Sequence, residues 1–406
     1  MNTKFTSLAC IIGLAISSTT MAQTEVEKLR LEVDALNKKA TEWEAFKAPK
    51  EKLQQDVGLL NDKAREWEEW KTPKTLVHLA GFSSVSYIDK QGEPSTFQLG
   101  TFSPIFHYQF ADTFMLEAEL EFEINESGGS TASVDYLTID WFINDNIALS
   151  MGKFLSPLGQ FRQNTHPSWI NKSASAPAGF GHDQAAPNAE VGLVLRGGYL
   201  METSNSLNYS LYVGNGPTLE PDSAGTEIEM IETPGLGKDG DGKKVIGGRI
   251  GMFFPGSKFE FGVSLATGKA SVRSGSSGSY TYDASRNYDV AGTDFTWRPG
   301  SWDIRGEYVQ QKFGEQPLSP APDSGKWEAF YIQTAYRFSA ANWEAVLRYG
   351  EYDSPHANQD VNQTTVGANY LFASNLVGKI GYEFNENPNA GFTAADRLIV
   401  QMTYGF

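Results

Sequence analysis

The last nine residues, Leu398 to Phe406 (LIVQMTYGF), decide the fold class. Apolar side chains recur at every second position of this stretch, and the chain stops on an aromatic residue. A period of two with one apolar face is typical of a half-buried β-strand. Tyr404 and Phe406 also fit the aromatic girdle found where a transmembrane barrel meets the membrane interface. We therefore predict the closing strand of an outer-membrane β-barrel; an ordinary sheet-edge strand is the alternative.

The N-terminus has the pattern of a secretory signal. Lys4 precedes a short apolar run over residues 5–16, and Thr20-Met21-Ala22 leads into Gln23. The run is too short to span a membrane, so residues 1–22 are predicted to be a signal peptide that is cleaved after Ala22. Cys10 is the only cysteine, and it lies inside this segment. The mature chain would therefore contain neither disulfides nor thiolate chemistry.

Charge and hydropathy exclude two classes of protein. Without residues 1–22 the chain has 32 basic and 49 acidic side chains, a net charge of −17, which argues against nucleic-acid binding. No run of 18 apolar residues is present, which excludes a helical membrane protein. A barrel stays possible because its strands hide their apolar face in alternation. Forty glycines and 13% aromatic residues fit many turns and two aromatic girdles.

Residues 23–75 have a different composition from the rest. Apolar residues recur there at spacings of three and four, which predicts a heptad seam. Residues 36–50 (LNKKATEWEAFKAPK) and 60–74 (LNDKAREWEEWKTPK) match at 10 of 15 positions, so the segment is a tandem repeat. A single solvated helix is one interpretation. We favour a self-associating coiled coil, because a lone helix would leave Trp43 and Trp67 unburied, and we expect it in the periplasm.

Period-two runs continue from Thr75 to the C-terminus, so residues 76–406 are predicted to form the barrel. Sixteen strands are predicted, near 77–89, 95–110, 113–124, 133–144, 147–154, 189–202, 206–216, 244–254, 258–270, 287–298, 301–313, 325–338, 342–354, 362–372, 375–385 and 394–406. Seven short connections alternate with eight longer ones. This alternation is typical of a transmembrane barrel with short periplasmic turns and long outer loops.

An acidic ladder is predicted on the third strand. If its apolar residues face lipid, Glu117, Glu119, Glu121 and Glu123 point into the lumen. Alternate residues of a strand are roughly 6.6 Å apart, so four carboxylates would follow one wall. A pair of carboxylates can serve as catalytic acid and base. At this density, however, the lining of a water-filled pore is the better interpretation.

The same alternation of lipid-facing and lumen-facing residues places five basic residues inside the barrel, at roughly one level near its middle. They are Arg196, Arg249, Arg305, Arg348 and Lys379. Opposed charges across a narrow lumen would give a transverse field that favours anions on the basic side. The alternative is that these bases merely pair with inward acids such as Asp303, Glu307 and Glu344.

Residues 155–188 form the longest connection, and long loops of this kind are usually functional. Arg162, Trp169 and Lys172 make it a candidate constriction loop folded into the lumen; an outward cap is the alternative. A hydrolase interpretation has little support, because no motif places a nucleophile beside a base. It would involve His166, Ser168, His182 and Asp183. No enzyme activity, cofactor or metal site is predicted.

The chain resembles the phosphate-selective porin O/P superfamily, and within it the DcaP-like members with an N-terminal coiled coil. The resemblance rests on the signal peptide, the helical segment, the strand number, Gly152-Lys153-Phe154 with Pro157 and Gly159, and the terminal Phe406. It implies a trimeric sixteen-stranded diffusion channel for anionic solutes such as dicarboxylates or phosphate. In such barrels the terminal aromatic is an assembly signal, here Tyr404 and Phe406. Dense arginine and lysine ladders are missing, which puts phosphate selectivity in doubt.

Together these features predict an outer-membrane porin: a passive channel for small hydrophilic, anionic solutes, selected by pore width and lumen charge. The expected partners are outer-membrane lipid, the solutes and two further copies of the chain. Three alternatives stay open. They are an adhesin or structural tether with a plugged barrel, a weakly cation-selective general porin, and a barrel enzyme that would lose activity when His166 or His182 is changed.

Overall fold

A computed structural model describes residues 18–42, 57–59, 61–63, 75–125, 127–182, 184–202, 204–275 and 279–406. Helix α1 covers Ser18–Glu42. It includes the first part of the predicted coiled coil, whereas Trp43, Trp67 and the predicted signal residues 1–17 lie outside the described residues. Within the described ranges, no helix combines the length and apolar character needed to cross a bilayer.

The described residues contain nineteen β-strands. They are β1 (Thr75–Lys90), β2 (Thr96–Phe110), β3 (Phe114–Ile124), β4 (Ser130–Asn144), β5 (Ile147–Leu155), β6 (Ala189–Leu200), β7 (Ser206–Gly214), β8 (Thr218–Pro221), β9 (Ile228–Glu232), β10 (Val245–Phe254), β11 (Phe259–Ser274), β12 (Thr281–Tyr282), β13 (Arg286–Trp297), β14 (Trp302–Phe313), β15 (Gly325–Arg337), β16 (Trp343–Asp353), β17 (Val361–Leu371), β18 (Leu376–Glu386) and β19 (Arg397–Gly405). Sixteen of them form one closed antiparallel barrel, which confirms the predicted fold class. Strands β8, β9 and β12 belong to the connections.

The final strand closes the barrel, as its sequence predicts. Strand β19 pairs with β1 from Phe82↔Gly405 to Lys90↔Arg397. The main chains of Gly81 and Phe406 exchange two hydrogen bonds of 2.9 Å. The Phe406 ring stacks on Phe102 with centroids 6.1 Å apart. The role of the terminal aromatic residue in assembly stays a prediction.

Exposure along the strands is reversed relative to a soluble protein. The side chains of Ile250, Leu347 and Ile380 are 57%, 50% and 48% exposed. Their strand neighbours Arg249, Arg348 and Lys379 are 7%, 1% and 4% exposed. An apolar outer face and a polar inner face are the arrangement that lipid outside and water inside require.

The connections also alternate as predicted, with seven short turns and eight longer segments. In the turn between β2 and β3, Ala111 and Asp112 have φ values of 52° and 56°, which suits the twist of a tight hairpin. Three strands, β1, β4 and β11, are each three residues longer than predicted, and β11 extends to Ser274 instead of ending near 270. The reason is that its end pairs with β8 and β12 above the barrel, and sequence periodicity does not reveal such pairings.

Candidate functional site

The long connection between β5 and β6, residues 156–188, lies against the inner wall of the barrel. We call it the lumen loop. Phe161 and Phe180 are 3% and 0% exposed, and both pack edge-on against Tyr331 of β15, with ring centroids 6.4 and 5.0 Å away. A single turn of π-helix covers Phe161–Thr165. The loop is therefore an ordered element whose partners are inward-facing side chains.

The start of the lumen loop is held by Glu307 on β14. Its Oε2 accepts hydrogen bonds from the backbone N–H groups of Gln160 (3.0 Å) and Phe161 (2.9 Å). The N–H of Gly159 donates to the hydroxyl of Ser264 at 3.0 Å. A carboxylate that accepts two N–H groups satisfies donors that would otherwise be buried without partners. Glu307 therefore anchors backbone and does not pair with an arginine.

The middle of the lumen loop is held by Lys379 on β18. Its ammonium group donates to the carbonyl oxygens of Ser168 (2.5 Å), Asn171 (2.6 Å) and Ser173 (3.0 Å). An ammonium group has three protons, so all of its donors are used. Lys379 therefore lies on the inner face, where the sequence places it. Its ammonium group, however, attaches the loop to the wall.

A second attachment lies one strand away. Arg348 on β16 donates to the carbonyl oxygens of Ser175 (2.8 Å) and Ala176 (3.1 Å), and it pairs with Glu383 at 3.4 Å. Glu383 also accepts hydrogen bonds from the Ser175 hydroxyl and from Arg397. Both Arg348 and Glu383 are 1% exposed.

The other three predicted lumen bases are paired with acids. Arg249 makes two hydrogen bonds to Asp294, of 2.8 and 2.6 Å. Arg305 does the same with Asp303, at 2.8 and 2.7 Å. Arg196 binds Asp140 at 2.6 Å, yet its side chain is 44% exposed. Paired bases present little net charge to a solute, so the geometry favours the pairing interpretation for Arg249 and Arg305.

The three candidate constriction residues also bind the loop or the wall. Arg162 donates to the carbonyl oxygens of Phe180 (3.0 Å) and Gly181 (2.7 Å). Lys172 forms an ion pair of 2.8 Å with Glu344. Trp169 lies so close to the backbone of β19 that a Cβ at Gly405 would be 2.7 Å from its indole ring. None of the three contacts by itself identifies a solute-binding group.

The acidic ladder forms the wall at β3 and β4. Glu117 is 3.9 Å from Arg196 and 3.4 Å from His107, while Glu119 is 1% exposed. The register between β3 and β4 shifts at Glu119, and the extra residue there is Asp135 of β4. Strict alternation does not place Asp135 on the inner face, so the sequence pattern missed it.

The residues considered for a hydrolase take separate partners. The Ser168 hydroxyl shares a hydrogen bond of 2.7 Å with Thr403, whereas His166 Nδ1 contacts the carbonyl oxygen of Arg162. Burial, and secondly the charge of Arg162, lower the pKa of His166 to about 4, so its ring is neutral at neutral pH. His182 lies 3.3 Å from the Asn188 amide, and residue 183 is outside the described residues. Ser168 and His166 are therefore not arranged as nucleophile and base.

Cavities lie on both sides of the lumen loop. One of about 840 Å³ lies toward the short turns, and its lining includes Glu117, Arg196, Glu260 and Arg298. Another, of about 360 Å³, lies toward the long loops and is lined in part by Ala176, Gly181, Tyr352, Gln363 and Arg397. The Arg298 side chain donates to Asp303 at 3.3 Å, but like that of Arg196 it stays about half exposed, at 55%. Arg196 and Arg298 are therefore accessible bases in the larger cavity.

Comparison with solved structures supports the fold. No protein-family model and no curated protein matches the sequence. An anion-selective porin from Comamonas acidovorans is 15% identical, with a TM-score of 0.54 over 82% of this chain and 100% of its own. The outer-membrane channel DcaP of Acinetobacter baumannii is 11% identical, with a TM-score of 0.54 over 82% and 98%. OmpT of Vibrio cholerae, in its trimer form, is 14% identical, with a TM-score of 0.52 over 82% and 100%. Because the identities are this low, the comparison shows a shared barrel fold.

Proposed function

We propose that the protein is an outer-membrane porin, a passive diffusion channel for small hydrophilic solutes. The observation that carries the proposal is the lumen loop, which folds against the inner wall of a closed sixteen-stranded barrel between two cavities. The apolar outer face would contact lipid, while loop and wall together would set the pore width. The Comamonas and Acinetobacter proteins, which share the barrel fold, are a porin and an outer-membrane channel by name.

We further propose a preference for anionic solutes, dicarboxylates among them, but not through a ring of five bases. Arg348 and Lys379 hold the loop, and Arg249 and Arg305 are neutralised by acids. The preference would depend on the accessible bases Arg196 and Arg298. A cation-selective general porin is the second candidate, because Glu117 of the acidic ladder lines the same cavity as these two bases.

The double variant Arg196→Gln/Arg298→Gln tests this assignment. We expect the reversal potential of the purified protein, in a planar bilayer under a potassium chloride gradient, to indicate anion preference. The variant should lower the chloride-to-potassium permeability ratio by about threefold, because two exposed charges change the local potential by an amount on the order of kT. Lys269→Gln is the control, since Lys269 is an exposed strand lysine bound to Asn287.

Two results would contradict the proposal. Cation preference in the native protein would mean that the acidic wall dominates selectivity. Absence of any conductance, in protein that migrates as a folded barrel, would remove the porin and support an adhesin or tether with a plugged lumen.

We also propose a homotrimer with α1 on the periplasmic side. Val26, Leu29, Val33 and Leu36 recur along α1 at spacings of three and four, which favours a self-associating seam. OmpT of Vibrio cholerae, which shares the barrel fold, has a trimer form. We expect light scattering of the native protein, with detergent mass subtracted, to give three times the chain mass. A monomer mass under conditions that preserve the barrel would contradict the trimer.

A further inference from the structure

We propose that Glu119, Asp135 and His166 bind a divalent transition-metal ion of the zinc class. One carboxylate oxygen of each acid and one ring nitrogen of His166 lie within 4.8 Å of one another. Oxygen atoms of Asp and Glu and nitrogen atoms of His are the ligands that zinc takes in proteins, at about 2.0–2.2 Å. The site joins the wall at β3 and β4 to the lumen loop. It does not depend on what passes through the barrel.

A β-bulge directs Asp135 into this site. Glu119 is opposite Tyr136, and the next residue, Leu120, is opposite Val134, so Asp135 is the extra residue. Val134 is 38% exposed on the outer face, whereas Asp135 and Tyr136 are both partly buried. Bulges often redirect a side chain at functional sites, and this one adds a second carboxylate beside Glu119.

The hydrogen bonding of the His166 ring suits a metal ligand. Its Nδ1 lies against the carbonyl oxygen of Arg162, which can only accept, so Nδ1 carries the proton. The other ring nitrogen, Nε2, is buried and has no hydrogen-bond partner. Metal-binding histidines typically donate one ring N–H to a backbone carbonyl in this way, which aims the free nitrogen at the ion.

The atoms that face one another in the cluster are acceptors. Glu119 is 1% exposed, and its Oε1 is buried without a hydrogen-bond partner. Buried acceptors that face one another repel, and burial of a carboxylate oxygen without a partner is costly. Glu117 and Glu121 add carboxylates beside these two acids, whereas the bases Arg162 and Lys153 lie near Glu121 and Asp135. A divalent cation would offset the repulsion among the carboxylates.

The donor set indicates the class of ion. One imidazole and two carboxylates suit zinc and related ions, whereas calcium and magnesium favour sites made entirely of oxygen. Three protein ligands would leave a fourth position for water or a solute group. The bound ion would also fasten the loop to the acidic wall, at a point separate from the attachments at Glu307, Arg348 and Lys379.

The test uses full-length protein without a polyhistidine tag, refolded into detergent after treatment with EDTA. We expect titration with zinc, followed by a chromophoric competitor, to show one saturable site per chain. His166→Ala and Glu119→Gln should each weaken zinc binding by at least about tenfold, because each removes one of three ligands. His356→Ala is the matched control, since this histidine also lies near a carboxylate, 3.9 Å from Glu227.

Folding of each variant is checked by its heat-dependent mobility on gels. X-ray absorption at the zinc edge should show imidazole scattering in the native protein, and His166→Ala should remove it. The proposal is overturned if native protein binds no zinc saturably, or if folded His166→Ala and Glu119→Gln bind it as tightly as native protein does. The first of those results would mean that the carboxylates share protons.

Discussion

Lys379→Met is expected to release the middle of the lumen loop from the barrel wall. The substitution keeps a long side chain but leaves the carbonyl oxygens of Ser168, Asn171 and Ser173 without their shared donor. Hydrogen bonds from a charged donor contribute about 1.5–3 kcal/mol each, and the desolvation of a buried lysine offsets part of that sum. A net loss of roughly 3 kcal/mol from the local stability of the loop is a reasonable expectation.

The measurement combines hydrogen exchange with single-channel recording. A loss of that size raises the displaced population of the loop by about 100-fold, so the loop amides should exchange faster by a similar factor. Single-channel conductance should increase, with larger current fluctuations. Lys269→Met is the control, because Lys269 is exposed and binds one side chain, Asn287 at 2.6 Å. Unchanged loop exchange in folded Lys379→Met would show that the other attachments are sufficient.

The fold could be predicted because a membrane environment imposes a simple periodic pattern on the sequence. Lipid requires an apolar residue at every second outward position, so period-two runs, their number and the alternating length of their connections were all visible. The end of β11 was missed because its partners, β8 and β12, are short segments in distant loops. Pairing between loops depends on their three-dimensional approach, which no local pattern encodes.

The inward or outward direction of a side chain could be predicted only where side chains alternate strictly between the two faces of a strand. Parity placed Arg249, Arg348 and Lys379 inside, but it did not show that their partners are Asp294 and loop carbonyls. Those partners follow from where the lumen loop lies. Parity also fails at a bulge, which is why Asp135 was absent from every sequence-based prediction. A single extra residue in a strand leaves no strong signal in one sequence.

The substitution Gly159→Ala is expected to dislodge the start of the lumen loop. Gly159 has a φ of +82°, a conformation that residues with a Cβ rarely adopt, which costs about 1–2 kcal/mol. A Cβ at this position would also be 1.7 Å from Glu307 Oε1. The carboxylate cannot simply rotate away, because it accepts the N–H groups of Gln160 and Phe161. With the loss of both hydrogen bonds, the free energy of unfolding is expected to decrease by roughly 4 kcal/mol in total.

Thermal unfolding in detergent and single-channel conductance give the readouts. Gly92→Ala is matched for backbone strain, because Gly92 has a φ of +86° and no atom lies within 4 Å of the point that a Cβ would occupy. The free energy of unfolding of the control should therefore decrease by only about 1–2 kcal/mol, and its conductance should not change. Gly159→Ala should lower the unfolding temperature further and raise the conductance.

A double-mutant cycle separates the steric conflict from the strain. Glu307→Ala alone removes the anchor and leaves two buried N–H groups without an acceptor, but it also removes the atom that a Cβ at position 159 would meet. The destabilisation of the combined Gly159→Ala/Glu307→Ala variant should therefore be smaller than the sum of the two single destabilisations, by about 2 kcal/mol. The reason is that each single variant already removes the same anchor. Additive effects would mean that the alanine is accommodated without moving the carboxylate, and that Glu307 does not fix the path of the loop.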